Sequence, residues 1–129
     1  MNFSFDNERP IYMQLANMIK VSICNGTYES GNKLPSVRDL ALSAKVNPNT
    51  LQKALFELEE EGLIFTERTN GKFVTTDKKI IEKTKKELAN SISSNFINEM
   101  NSIGLSLEES IAYLQDLGGK KWVYLKLKT

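Results

Sequence analysis

Asn49, Thr50, Gln52 and Lys53 place two carboxamides, a hydroxyl and an ammonium within five residues, directly after Val46-Asn47-Pro48. A carboxamide can pair two-pronged with an adenine edge, a hydroxyl serves base or phosphate, and an ammonium is a point charge for phosphate. Arg38 lies eleven residues before this cluster, and Arg68 and Lys72 lie after it. These are groups for holding a polar polymer, not for making or breaking bonds.

The inventory for catalysis is thin. The chain has no histidine and one cysteine, Cys24, so no Ser-His or Cys-His pair can be assembled and a zinc site lacks its usual ligands. There is no Gly-rich phosphate loop and no carboxylate pair placed in a pocket, so neither an enzyme nor a bound cofactor is expected. A lone cysteine cannot close an intramolecular disulfide, which suits a reducing cytoplasm. No apolar run approaches the ~18 residues of a membrane span, and MNFSFDNERP lacks the basic-then-apolar order of a signal peptide. A cytoplasmic location follows as the expectation.

The cluster has to be carried by something, and the spacing says what. Asn47 is a good helix cap, and Pro48 a good first helical residue because its missing N–H would have no partner there. Leu51, Ala54, Leu55 and Leu58 then form an apolar stripe at i, i+3, i+4 and i+7, and Gly62 ends the helix. At ~100° per residue, Asn49, Lys53 and Phe56 fall opposite that stripe, with Thr50 and Gln52 on its flanks. Just before it, Ser36 caps a shorter helix that reaches Ser43 or Ala44, and Asp39 stands where a capping-box partner belongs. Val37, Leu40, Ala41 and Ala44 give that helix its apolar face. Two short helices joined by a tight turn make a helix-turn-helix.

An earlier helix begins at Pro10, with Ile11, Leu15, Ile19 and Ile23 on one face and Gly26 after its end, where Cys24 reads as a buried, apolar-like residue. Residues 25–33 form a turn-rich connector. After Gly62, two β-prone runs, Leu63–Arg68 and Lys72–Thr76, flank Thr69-Asn70-Gly71. Asn-Gly between such runs predicts a hairpin with positive φ at both turn positions. Residues 77–103 then read as a long helix ended by Gly104. Ser106 and Glu109 box the start of another, carrying Leu107, Ile111, Leu114 and Leu117 and closed by Gly118-Gly119. Alternation over Lys120–Thr129 predicts a short strand.

Net charge is only +1, which by itself speaks against a nucleic-acid partner, but the charge is segregated. Residues 34–56 are net +2, residues 57–65 net −4, residues 66–86 net +4, residues 87–119 net −5, and the last ten residues net +4. The glutamates at 57, 59, 60 and 61 fill the last turn of the helix that starts at Pro48, so phosphate is expected at its first two turns and nowhere beyond them.

Taken as a set, Gly31-x-Lys33-Leu34-Pro35-Ser36-x-Arg38-x-Leu40-Ala41, Val46-Asn47-Pro48-Asn49-Thr50-Leu51-x-Lys53-Ala54, Leu58-Glu59-x-Glu61-Gly62-Leu63-Ile64 and Gly71-x-Phe73-Val74 resemble the DNA-binding domain of the GntR family. Pro10-Ile11-Tyr12-x-Gln14-Leu15 and the Val-Asn-Pro-Asn-Thr string resemble its short-tailed YtrA-type branch, with a weaker likeness over 77–117. The resemblance implies an α+β, mainly α fold: a winged helix-turn-helix over residues 1–76, then a small two-helix C-terminal tail over 77–129 with a short extension. It implies DNA contacts from Arg38 and the Asn49, Thr50, Gln52 and Lys53 cluster, with Ser36 beside the phosphate backbone and the wing segment Arg68, Asn70, Gly71 and Lys72 at its edge. It also implies a homodimer on a two-fold operator, commonly a repressor. Phe56 departs from the branch, which has a polar or basic residue there; packing against the tail or a partner subunit is the expectation. The Trp122–Thr129 extension departs too.

The tail carries Ile81, Leu88, Ile92, Phe96 and Met100, then Ile111 and Leu114, in helical stripes that must be buried somewhere. A second copy is the expected cover, and packing back on its own domain is the alternative. Some 40 residues are too few to enclose the ~300 Å³ of a metabolite site, so no effector is assigned. The competing function is a winged helix that binds protein rather than DNA.

Overall fold

The computed structural model describes residues 3–128, with side chains as far as Gly119. Among these, five helices and one two-stranded sheet follow in the order α1 (Ile11–Cys24), α2 (Val37–Ala44), α3 (Pro48–Glu60), β1 (Ile64–Glu67), β2 (Gly71–Val74), α4 (Lys78–Ser102) and α5 (Leu107–Lys128). The chain divides into two compact units between Leu88 and Ala89, inside α4.

In the first unit the apolar stripes meet as their spacing requires. Leu15 and Ile19 of α1 and Leu51, Leu55 and Leu58 of α3 are fully buried, with Leu40, Ala41 and Ala44 of α2 and Leu63, Ile64 and Val74 of the hairpin closing the same core. Each such aliphatic side chain contributes roughly 1.5–3 kcal/mol relative to exposure. Gln14 is buried among them and satisfied: its Oε1 accepts the Asp6 N–H at 2.9 Å, and its Nε2 donates to the carbonyls of Asp6 at 3.0 Å and Arg9 at 2.8 Å. It thereby ties the segment before α1 to the core. Cys24 is half-buried, and burial pushes its thiol up.

The helix starts follow the caps. Ser36 Oγ accepts the Asp39 amide at 3.0 Å, and Asn47 Oδ1 accepts the Asn49 amide at 2.8 Å with Pro48 in the first turn. Between α2 and α3, Lys45 takes a left-handed conformation (φ 56°), and the Val46 N–H reaches back to the Ala41 carbonyl at 3.1 Å. That closure turns the chain sharply enough to set α3 across α2.

The hairpin departs from expectation in its turn. β1 and β2 pair antiparallel with Ile64 opposite Val74, Thr66 opposite Lys72 and Glu67 opposite Gly71, leaving a three-residue loop, Arg68-Thr69-Asn70. The Asn70 N–H donates to the Glu67 carbonyl at 3.2 Å, and of the Asn-Gly pair only Gly71 has positive φ, at 98°. This is the turn-then-glycine connection of a three-residue hairpin, which needs one left-handed residue instead of two. The connector before α2 also gains a role. The Gly31 N–H donates to the Val74 carbonyl and the Leu34 N–H to Lys72, while the Val74 N–H donates to Asn32, so residues 31–34 line the outer edge of β2.

In the second unit α4 ends at a left-handed Gly104 (φ 89°), with the Leu105 N–H closing onto the Met100 carbonyl at 3.0 Å. The expected box opens α5: Ser106 Oγ accepts the Glu109 amide and Glu109 Oε1 accepts the Ser106 amide, both at 3.1 Å. Two expectations fail here. Gly118-Gly119 does not end α5, and the strand over Lys120–Thr129 is not formed, because α5 continues to Lys128. Two glycines cost a helix roughly 2 kcal/mol together but do not forbid it, and a helix bonds its own backbone where a strand needs a neighbour. Side chains from Lys120 onward, and Met1, Asn2 and Thr129, lie outside the described residues.

Candidate nucleic-acid interface

The stripe that buries α3 leaves its polar side free. Asn49, Gln52 and Lys53 are exposed and Thr50 is half-buried, so the four expected groups share the first two turns. Ser36 and Arg38 are exposed at the start of α2, and no ion pair of Arg38 occurs among the described residues. Across a groove from Ser36 stand Thr69, Asn70, Gly71 and Lys72 of the wing. That groove brings Ser36 together with Asn70, Gly71 and Lys72, and a second groove lines Arg38 with Pro48 at the start of α3.

Two contacts that no local pattern announces hold this surface in shape. On one flank of α3, Lys53 Nζ lies 3.9 Å from the centroid of the Tyr12 ring in α1. On another, about 120° round the helix, Glu59 Oε1 accepts from Lys72 Nζ at 2.9 Å and from the Thr66 hydroxyl. Lys72 also donates to Thr66 Oγ1 at 2.9 Å. The Thr66 hydrogen bond, and then the Lys72 ammonium, hold the Glu59 carboxyl below the ordinary glutamate range. Tyr12 and Lys53 sit on different helices, and Glu59 and Lys72 on a helix and a strand, so only the tertiary fold brings each pair together.

Two of the glutamates at the end of α3 are paired, while Glu60 is exposed and, at ~100° per residue, falls in line with Asn49, Lys53 and Phe56. Glu59 is engaged with the wing, and Glu61 pairs at 3.0 Å with Lys20 of α1. Phe56 is 59% exposed, on the outer face with Asn49 and Lys53. At the wing tip, Asn70 Nδ2 donates to Glu67 Oε2 at 3.2 Å, and the Lys33 stem packs over Gly71, where an added Cβ would meet Cε at 3.0 Å. The surface holds no group of three carboxylate or cysteine ligands that could take a metal ion among the described residues. It offers hydrogen bonds and positive charge.

In the tail, the expected apolar positions divide by exposure. Ile81 packs against the core of the first unit, and Leu88, Phe96 and Met100 are half-buried. Ile92 is 66% exposed, Leu114 49% and Ile111 43%, beside exposed Ile103, Leu107 and Leu117.

A tri-helical core with a protruding polar-faced helix and a hairpin beside it is a winged helix-turn-helix, the fold of a DNA-binding protein. Residues 11–74 match the family of bacterial regulatory proteins called gntR. Over 118 residues the chain is 34% identical to the HTH-type transcriptional repressor YtrA of Bacillus subtilis (strain 168), a match covering 87% of this chain and 91% of that protein. The chain belongs to the GntR family of transcriptional regulators, and its likeness to YtrA along nearly the whole of both chains agrees with the short-tailed branch. A GntR family transcriptional regulator from Listeria monocytogenes superposes with a TM-score of 0.79 at 45% identity, covering 87% of this chain and 98% of that one. The AraR DNA-binding domain in complex with operator ORX1 superposes at 0.54 with 25% identity, over 58% of this chain and 96% of that one.

Proposed function

We propose that the protein is a sequence-specific repressor that binds a two-fold operator as a homodimer, in the cytoplasm where its DNA is. Residues 1–76 grip DNA and the helices of 77–129 join the two copies. The observation that carries this reading is the division of α3: Asn49, Gln52 and Lys53 are exposed in its first two turns, Lys53 with its ammonium over the Tyr12 ring, while Glu59 and Glu61 at its end are paired with Lys72 and Lys20. Inserted N-terminus first into a major groove, the helix brings Asn49 and Gln52 to base edges and Lys53 to phosphate, with Thr50 between. Arg38 and the capped start of α2 at Ser36 meet the adjacent backbone, where the helix N-terminus itself favours an anion. The wing segment Arg68, Asn70, Gly71 and Lys72 runs beside the next stretch of backbone.

The tail supports the dimer. Ile92, Ile111 and Leu114 are exposed aliphatics in helical register, and a second copy of the same stripe is the cover that symmetric association supplies. Such a dimer spaces two recognition helices about one DNA turn apart, ~34 Å. YtrA, similar over nearly its full length, is a repressor by name, which supports that sign of regulation here. Footprinting on the DNA upstream of the protein's own gene tests the reading: a protected site with two-fold symmetry is expected, with affinity falling steeply as salt rises. A flat salt response, or no protection, would favour a winged helix that binds protein.

A further inference from the structure

Lys72 sits in the wing, where a cation would be expected to reach for phosphate, yet its ammonium is turned the other way. Its side chain is 19% exposed and that of its partner Glu59 29%. Thr66 and Lys72 are directly opposite each other across the hairpin, on the face that carries Ile64 and Val74 into the core. Glu59, Thr66 and Lys72 thus close a triangle of hydrogen bonds between α3 and both strands of the wing.

The physical need for such a tie is plain. A two-stranded hairpin is marginal alone and has to be held by packing. A carboxylate in the last turn of a recognition helix is also a liability beside phosphate. If Lys72 left for a phosphate, Glu59 would remain as an uncompensated negative charge near the DNA, so the two are better kept together. Arg68 occupies the loop itself, is exposed, and makes no ion pair among the described residues.

We propose that Glu59 is a positioning residue for DNA binding: it docks the wing on α3 by taking up the Lys72 ammonium, and Arg68 is the cation that the wing presents to phosphate. This rests on the DNA-binding reading above and refines it. Lys72 then belongs to the interface by place but not by contact. Removing it weakens the wing's hold without removing a phosphate contact.

The test combines a measurement on DNA with one that needs none. For the footprinted duplex, each phosphate contact adds about 0.9 to the slope of log affinity against log salt. R68M is expected to lower the slope by about one per protomer, K72M to leave it unchanged, and E59Q to raise it by about one as Lys72 is released. Amide hydrogen exchange on the free protein should show Phe73 and Val74 speeding up alike in E59Q and K72M, and returning toward the parent rate in the charge-swapped E59K/K72E. A K72M slope reduced as far as that of R68M would overturn the assignment of Lys72. Exchange unchanged in both single variants would overturn the docking role of Glu59. Failure of the parent protein to bind DNA would overturn the functional reading and the Arg68 assignment, and hydrogen exchange would still decide the docking role.

Discussion

The Lys53 ammonium stands 3.9 Å above the Tyr12 ring, and this contact couples α3 to α1. An exposed cation over an aromatic face is worth about 0.5–1 kcal/mol, enough to bias a flexible lysine toward one of its rotamers. Tyr12→Leu is therefore expected to weaken DNA binding about two- to fivefold across all sequences. Tyr12→Phe, which keeps the ring face, should bind like the parent. Fluorescence anisotropy with a labelled duplex makes the comparison, and equal losses in both variants would show that the hydroxyl or general packing matters instead.

Lys53 and the carboxamides are expected to separate in kind. Lys53→Ala should lower affinity for operator and unrelated duplex alike and reduce the salt slope by about one per protomer. Asn49→Ala or Gln52→Ala should cost about 1–3 kcal/mol on the operator and little on unrelated DNA, narrowing the ratio between them. Competition binding with the two duplexes reads that ratio. If all three variants keep the parent ratio and affinity, α3 is not the reading element.

Gly71 tests the wing turn. Its φ of 98°, and the Lys33 Cε atom 3.0 Å from where a Cβ would stand, leave an alanine both strained and crowded, though the lysine end can yield. Gly71→Ala should cost about 1–2 kcal/mol of stability, chiefly from the backbone conformation. Gly104, also left-handed at φ 89° but with open space around it, isolates the backbone part of that cost. Thermal unfolding of the two variants should differ by the crowding alone.

What could be read from the chain was what lies close along it. Ser36, Asn47 and Ser106 announce their helices because a cap acts over three residues, and the Leu51, Ala54, Leu55 and Leu58 stripe announces burial because a helix repeats. The Asn70-Gly71 dipeptide marked a hairpin but misled on its turn, since the same dipeptide serves a three-residue loop with only the glycine left-handed. The alternation after Gly119 suggested a strand, yet a capped helix already under way continues through it. Tyr12 on Lys53, Glu59 on Lys72 and Lys33 beside Phe73 depend on which elements meet, and no spacing encodes that.

The Glu59 carboxyl gives the pH dependence of the clamp. Its folded value lies below the ordinary 4.5, first through the Thr66 hydrogen bond and then through Lys72, so protons bind the unfolded chain more readily than the folded one in that range. The stabilisation is present above the ordinary value and is lost as pH falls through the folded one. Chemical denaturation of the parent should therefore show stability declining below about pH 4.5, and Glu59→Gln should flatten that decline while lowering stability near neutrality. A decline of the same steepness in both proteins would assign it to other carboxylates.

The dimer reading makes the sharpest demand on Ile92, 66% exposed and midway along α4, and on Leu114, 49% exposed on α5. Burying a carboxylate against an apolar partner surface costs several kcal/mol, whereas the same carboxylate on a solvated helix face costs little. Ile92→Glu or Leu114→Glu should therefore yield monomers by analytical ultracentrifugation at micromolar concentration, with far-ultraviolet circular dichroism unchanged. Operator affinity should fall by orders of magnitude as one half-site is left to bind alone, while the half-site duplex should be bound as by the parent. The positions of the charges matter: a glutamate at exposed Asn98, on the same helix but outside the apolar stripe, should leave the dimer intact. A parent protein that sediments as a monomer would remove the two-fold operator along with the interface, because a single winged helix reads only one half-site.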